Sequence, residues 1–226
     1  GEEEEDGVET LQFGDKYISI RTSALEDKAT ACNLLCCYVE VLQDGFLQYL
    51  EPVLELMIPL LEFYFSEDVR RAAVQCLPDA MRASKACVEA KLKPEEWLKG
   101  INSHIMSKLT EALGKEIDVE VQAIMLESLA DLIGETHEML DQKMITAVVN
   151  ELKRALTDSI ERRKDRETRT TTEDFGEEDA ELLEEENEAD NELFDQVAEC
   201  VGALLKAYKS SFLPFFDQLL PLIIPY

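Results

Sequence analysis

A fourteen-residue stretch occurs twice in this chain without a gap. Phe46-Leu-Gln-Tyr-Leu-Glu-Pro-Val-Leu-Glu-Leu-Met-Ile-Pro59 aligns on Phe212-Leu-Pro-Phe-Phe-Asp-Gln-Leu-Leu-Pro-Leu-Ile-Ile-Pro225, with six of the 14 positions identical and most others exchanging apolar for apolar or acid for acid. Such a copy restricts the fold to stacked units, because one amphipathic segment used twice needs the same kind of neighbour twice. The rest of the chain has the matching period. Apolar residues recur three and four apart, the spacing of one helix face. Leu25, Ala29, Cys32, Cys36 and Val39 make one such face; Leu50, Val53, Leu54, Met57, Leu60 and Leu61 a second; Val69, Ala72, Ala73, Cys76 and Ala80 a third. Trp97, Ile101, Ile105, Leu109 and Leu113 follow, then Val119, Ala123, Leu126 and Leu129, then Ile145, Val148, Val149, Leu152 and Leu156. Two more helices are expected at Leu193–Tyr208 and Phe212–Ile224.

Boundary residues support this partition. Ser23 with Glu26 reads as a capping box, Ser66, Asp118 and Asp141 read as N-caps, and Pro94 reads as a first helical position. Gly45, Gly114 and Gly134 read as helix breaks or stops. No strand pattern of useful length is apparent. An A helix followed by a short turn and a B helix repeats with a period of about 45 residues, the HEAT class. Asp68-Val-Arg-Arg-Ala-Ala73 has the HEAT B-helix signature, with its charges expected in a cap and in contacts between repeats. The fold expected is all-α: an α-solenoid, or superhelix, of antiparallel HEAT helix pairs, about four to five of them.

The charge is distributed unevenly. Forty-nine Asp and Glu against 22 Lys and Arg give a net charge of -27. Twelve acids and no base lie in 173–192, and six acids lie in 1–9. This divides the chain into an acidic, partly disordered lead-in (1–20), HEAT repeats (21–172), an acidic loop inserted between an A and a B helix (173–192), and a B helix plus the A helix of a truncated next repeat (193–226). Arg162, Arg163, Lys164, Arg166 and Arg169 precede the acidic segment. Its candidate protein-binding residues are Glu177, Glu178, Asp179, Glu181, Glu184, Glu185, Glu186, Glu188 and Asp190. Three roles are open for it: a solvated linker, a segment folded onto Arg162, Arg163 and Lys164, or a surface for a basic partner.

Several functions lack residues to carry them. Direct nucleic-acid binding needs an excess of Lys and Arg. The apolar run at the end is too short and too broken for a membrane span. His137 begins an H-E-x-x sequence without the second His of a zinc protease. There is no phosphate-binding glycine motif and no nucleophile elbow. Catalytic residues, metal ligands and cofactors are all expected to be absent. The six cysteines are too few and too scattered for a disulfide scaffold and read as reduced thiols.

Gly14-Asp-Lys-Tyr-Ile-Ser-Ile-Arg-Thr-Ser-Ala-Leu25-Glu-Asp-Lys-Ala-Thr-Ala-Cys32 resembles the importin-beta family of nuclear transport receptors. So do Met57-Ile-Pro-Leu-Leu-Glu-Phe-Tyr64 and Leu213-Pro-Phe-Phe-Asp-Gln-Leu-Leu-Pro-Leu-Ile223. The resemblance implies a mid-to-C-terminal piece of a receptor that shuttles between cytoplasm and nucleus. It would be monomeric and non-enzymatic, would bind protein cargo carrying basic signals, and would work with Ran GTPase and Phe-Gly nucleoporins. It places no cargo contact on a numbered residue. Two other readings suit the composition: a HEAT scaffold subunit of a multiprotein complex, and an acidic chaperone of basic proteins such as histones.

Overall fold

The computed structural model describes residues 8–13, 16–170 and 176–224. Eight helices follow in antiparallel succession: α1 (Thr22–Leu42), α2 (Leu47–Leu60), α3 (Glu67–Glu89), α4 (Glu95–Lys115), α5 (Val119–Thr136), α6 (Gln142–Arg169), α7 (Glu177–Tyr208) and α8 (Leu213–Ile223). Among the described residues there are three complete A–B pairs, α2–α3, α4–α5 and α6–α7, flanked by a lone B helix, α1, and a lone A helix, α8. The α-solenoid expected from the repeat is the architecture.

B helices pack laterally on B helices, α1 on α3 on α5 on α7. A helices do the same more loosely, α2 beside α4 beside α6 beside α8. A stack packed closer on one side curves toward that side, which puts the B layer inside. One continuous core lies between the layers, running from Val39, Leu50 and Met57 through Leu77, Ile105 and Leu126 to Leu152, Leu204 and Phe212. Each such side chain contributes about 1.5–3 kcal/mol on burial. Neighbouring pairs share this core, so no pair buries its apolar stripe alone.

The repeat extends to backbone detail. Phe46 and Phe212 close short 3₁₀ turns, Gln43–Phe46 and Lys209–Phe212, and both rings are buried. Those turns begin at Gln43 and Lys209, with φ of 46° and 50°. His137 does the same after α5 with φ 46°, and Lys91 follows α3 with φ 60°. Among the described residues, each B helix is followed within two positions by a non-glycine residue at positive φ. Gly45, Gly114 and Gly134, the breaks expected from sequence, lie instead within a 3₁₀ turn, α4 and α5. Buried side chains on either side of each turn set the chain reversal, whatever residue stands at its corner.

Other boundaries also differ. The helix expected from Ser23 begins at Thr22, with Arg21 as an N-cap that makes no side-chain bond. Ser66, Asp118 and Asp141 are N-caps: their side chains accept from the amides of Val69, Val121 and Met144 at 3.4, 3.0 and 2.8 Å. Pro94 stands at the N-cap, one position before the helix. The lead-in contains an antiparallel hairpin, β1 (Val8–Phe13) with β2 (Lys16–Arg21), in a register pairing Val8 with Arg21 and Phe13 with Lys16. Alternating β-formers such as Leu11 and Phe13, or Ile18 and Ile20, around a Gly-Asp pair are its cause. Only residues 1–7, 14 and 15 of the lead-in lie outside the described residues.

The acidic segment differs most. Residues 177–192 are not a loop but the first half of the 32-residue helix α7. Glu, Ala and Leu are strong helix formers, so a charge run rich in them need not be unstructured. The amide of Gly176 donates to Asp179 Oδ2 at 2.9 Å and closes the helix start. Residues 173–175, the remaining part of the expected loop, are not among the described residues.

Candidate protein-binding surface

Ion pairs fix the B helices relative to one another before any surface can act. Arg70, at the start of α3, is buried, and its Nε lies 2.8 Å from Glu116 Oε2 in the α4–α5 turn. Glu116 Oε1 also accepts the amides of Ile117 and Asp118, both at 3.0 Å. The Gln122 side chain donates to the Glu116 carbonyl at 2.6 Å. The next residue of α3, Arg71, pairs with Glu120 of α5. At the far end Lys85 meets Glu135 at 2.7 Å. The HEAT-signature arginines thus bridge successive repeats.

Between α5 and α7 carboxylates outnumber cations on this surface. A trough of about 550 Å³ lies between α5 and α7. Its walls carry Glu120 and Glu127 from α5 and Glu185, Glu188 and Glu192 from α7, over a floor of Ala123, Ile124 and Ala189; Arg71 is the cation at its edge. Along the same helices Asp131 and Glu199 border a neighbouring depression, which Arg82 and Lys206 also line. On α7, Glu178, Glu181, Glu185, Glu188, Glu192, Asp195 and Glu199 follow three-four spacing and share one stripe. From Glu185 to Glu199 the stripe is about 21 Å long at the helical rise.

The nine residues singled out in the sequence fall into separate groups. Glu185 and Glu188 line the trough. Glu178 and Glu181 extend their stripe and are exposed, as is Glu184 on another side. Asp179 serves as the helix-start acceptor. The Glu177 side chain lies outside the described set. Glu186 and Asp190 face α6: Asp190 accepts from Arg162 Nε and Nη2 at 3.0 and 2.6 Å and lies 2.5 Å from Arg166 Nη2, while Glu186 pairs with Arg169. The partners are therefore Arg162, Arg166 and Arg169, one face of α6. Arg163 and Lys164, named from the sequence, are exposed elsewhere on α6. The α5 acids Glu120, Glu127 and Asp131 were missed by the sequence reading. Their spacing of seven and four residues, on the side of α5 away from Leu126 and Leu129, was the available signal.

His137 sits in the turn after α5, and His104 is exposed on α4. Trp97 is half-buried, its Nε1 donating to Glu51 Oε1 at 2.7 Å across α2 and α4. Among the described residues no group of three or more His, Cys, Asp or Glu is arranged to hold a metal ion. No described helix is long and apolar enough to cross a membrane.

Known proteins resemble this chain in sequence and fold. Residues 121–226 match the Importin repeat 6 family. Over 219 residues the chain is 28% identical to importin subunit beta-3 of Saccharomyces cerevisiae, a match covering 95% of this chain and 19% of that protein. The crystal structure of Kap121p bound to Pho4p superposes with a TM-score of 0.79 at 25% identity, covering 96% of this chain and 19% of that one. The chain is similar to importin-beta proteins over nearly its whole length. Kap121p bound to RanGTP gives a TM-score of 0.77 at 25% identity over the same shares of each chain. The chain spans about a fifth of the length of those relatives.

Proposed function

We propose that this chain is a protein-binding section of a nuclear import receptor, and that its B-helix face takes a Lys/Arg-rich segment of protein cargo by charge rather than by chemistry at a reactive centre. The observation that carries the reading is the α5–α7 trough, where five carboxylates face one arginine over a small apolar floor. Rows of carboxylates on rigid neighbouring helices raise the local concentration and on-rate of cationic segments, and salt weakens the attraction. The apolar floor accommodates the aliphatic stems of lysine and arginine. Named relatives support the transport context: the yeast protein is an importin subunit, and Kap121p has been crystallised with Pho4p, with Nup53p and with RanGTP. By that analogy the intact receptor meets cargo, nucleoporins and Ran GTPase, and moves between cytoplasm and nucleus without catalysing a reaction itself.

A pull-down with the intact receptor tests this. A Lys/Arg-rich import signal should be retained at low salt, be lost progressively as salt rises, and be displaced or modulated by RanGTP. Retention that ignores both salt and RanGTP, or no retention at low salt, would overturn it.

A further inference from the structure

The last pair of helices overruns its neighbours. α6 has 28 residues where α2 and α4 have 14 and 21, and α7 has 32 where α3 and α5 have 23 and 18. The excess is the basic end of α6 lying against the acidic beginning of α7. Little apolar surface joins the two. Within 177–190 the apolar side chains are Ala180, Leu182, Leu183 and Ala189, and Leu182 is 49% exposed. None of the four belongs to the continuous core, which α7 first enters at Leu193. Charge supplies the contact instead. Arg162, Arg166 and Arg169 stand at i, i+4 and i+7, so they present one edge of α6 to α7. Asp190, 4% exposed, takes the first two at the base, and Glu186 takes the third nearer the tip. Along α7 itself, neighbouring carboxylates repel one another, and like charges at helical spacing destabilise a helix.

We propose that residues 177–190 form an electrostatic latch: an acidic helical strap closed onto α6 by Arg162, Arg166 and Arg169, whose opening is governed by competition for those ion pairs. When closed, the strap holds Glu185 and Glu188 in line with Glu192, and so builds the upper wall of the trough. It also covers one side of the cleft at the start of α5, where Val119 faces Leu182 and Ala189. When open, that wall is lost, and the arginines of α6 stand exposed beside the N-terminal turns of α3 and α5. The consequence for a basic partner rests on the function proposed above, but the latch itself is a property of the chain alone.

Amide hydrogen exchange on the 226-residue chain tests it. Raising salt from about 0.05 to about 0.5 M, which shortens the screening length severalfold, should accelerate exchange in 177–187 while 193–208 stays protected. Arg169→Glu should accelerate exchange in the strap about tenfold, the change that follows from losing one charge-assisted contact. Arg169→Glu combined with Glu186→Arg should restore protection, because the swap rebuilds the pair with reversed sign. Strap exchange that is indifferent to salt and to Arg169→Glu would overturn the latch. So would a double variant as labile as the single one, because Arg169 would then be acting through packing rather than charge.

Discussion

Replacing Glu116 by Ala removes the acceptor on which Arg70 depends. The two side chains are 7% and 1% exposed, so the remaining guanidinium stays buried with its charge uncompensated. Breaking one partner of a buried pair costs about 3–5 kcal/mol. Two features place Glu116→Ala at the lower end of that range. Arg70 keeps a bond from Nη1 to the Phe63 carbonyl at 3.3 Å and lies 5.9 Å from the Tyr64 ring centre. The amides of Ile117 and Asp118 also lose an acceptor, but Ile117 is 86% exposed and water replaces much of that loss. A loss of about 3 kcal/mol lowers the melting temperature of a domain this size by about 6–12 °C. Removing both charges, with Arg70→Met and Glu116→Leu together, should cost far less, because no charge is left stranded. Urea denaturation followed by circular dichroism measures all three chains. If Glu116→Ala costs under about 1 kcal/mol, or the double variant costs as much as the single, the pair is not the bridge between repeats described here.

Three further outcomes follow from local geometry. Tyr208→Phe should cost about 1–3 kcal/mol in the same denaturation experiment, because the hydroxyl accepts the Leu140 amide at 3.0 Å and donates to the Leu140 carbonyl at 3.2 Å, and Leu140 is buried. His137→Gly should raise stability by about 0.5–1 kcal/mol, the strain at φ 46° and ψ -114° relieved less the entropy cost of glycine; a destabilised variant would show that the imidazole holds the turn. Burial raises the thiols of Cys32, Cys87 and Cys200 above their ordinary value. Their contribution to stability is complete below the unfolded thiol range near pH 8.5 and falls as pH rises toward the folded values, since the unfolded chain then binds fewer protons. Cys200→Ala should therefore flatten the decline in melting temperature between about pH 8 and 10, by about 1.4 kcal/mol per pH unit of stability at most.

The architecture was legible because it is written in periodicity. Residues such as Val53 and Leu219 are apolar for the same reason in two copies of one unit, and the caps at Ser66, Asp118 and Asp141 are local chemistry that a sequence displays directly. Helix ends were less legible. At Gln43, His137 and Lys209 the turn comes from packing of the flanking helices and overrides residue preference, while the glycines nearby sit inside regular structure. The acidic segment was misread because net charge was weighed above helix propensity, and because its counter-charges lie on another helix: Arg166 and Arg169 are three residues apart on α6, but only folding brings them opposite Asp190 and Glu186. The hairpin was passed over because its strands are six residues each and stand next to a charge run. The α5 half of the trough was hidden for a similar reason. Glu120, Glu127 and Asp131 look like an ordinary solvated helix face until α7 places a second acidic row beside them.

The trough is the centre of this account, and calorimetric titration of a Lys-rich peptide against the wild-type chain and the variant Glu127→Lys/Glu188→Lys/Glu192→Lys tests it most directly. The wild type should bind at about 0.05 M salt with an affinity that falls as salt rises, and the triple variant should lose tenfold or more, the ~1.4 kcal/mol expected when opposing charges become like charges. Equal affinity in the two chains, with the triple variant still folded by circular dichroism, would contradict the claim that this acidic trough is where a basic partner binds.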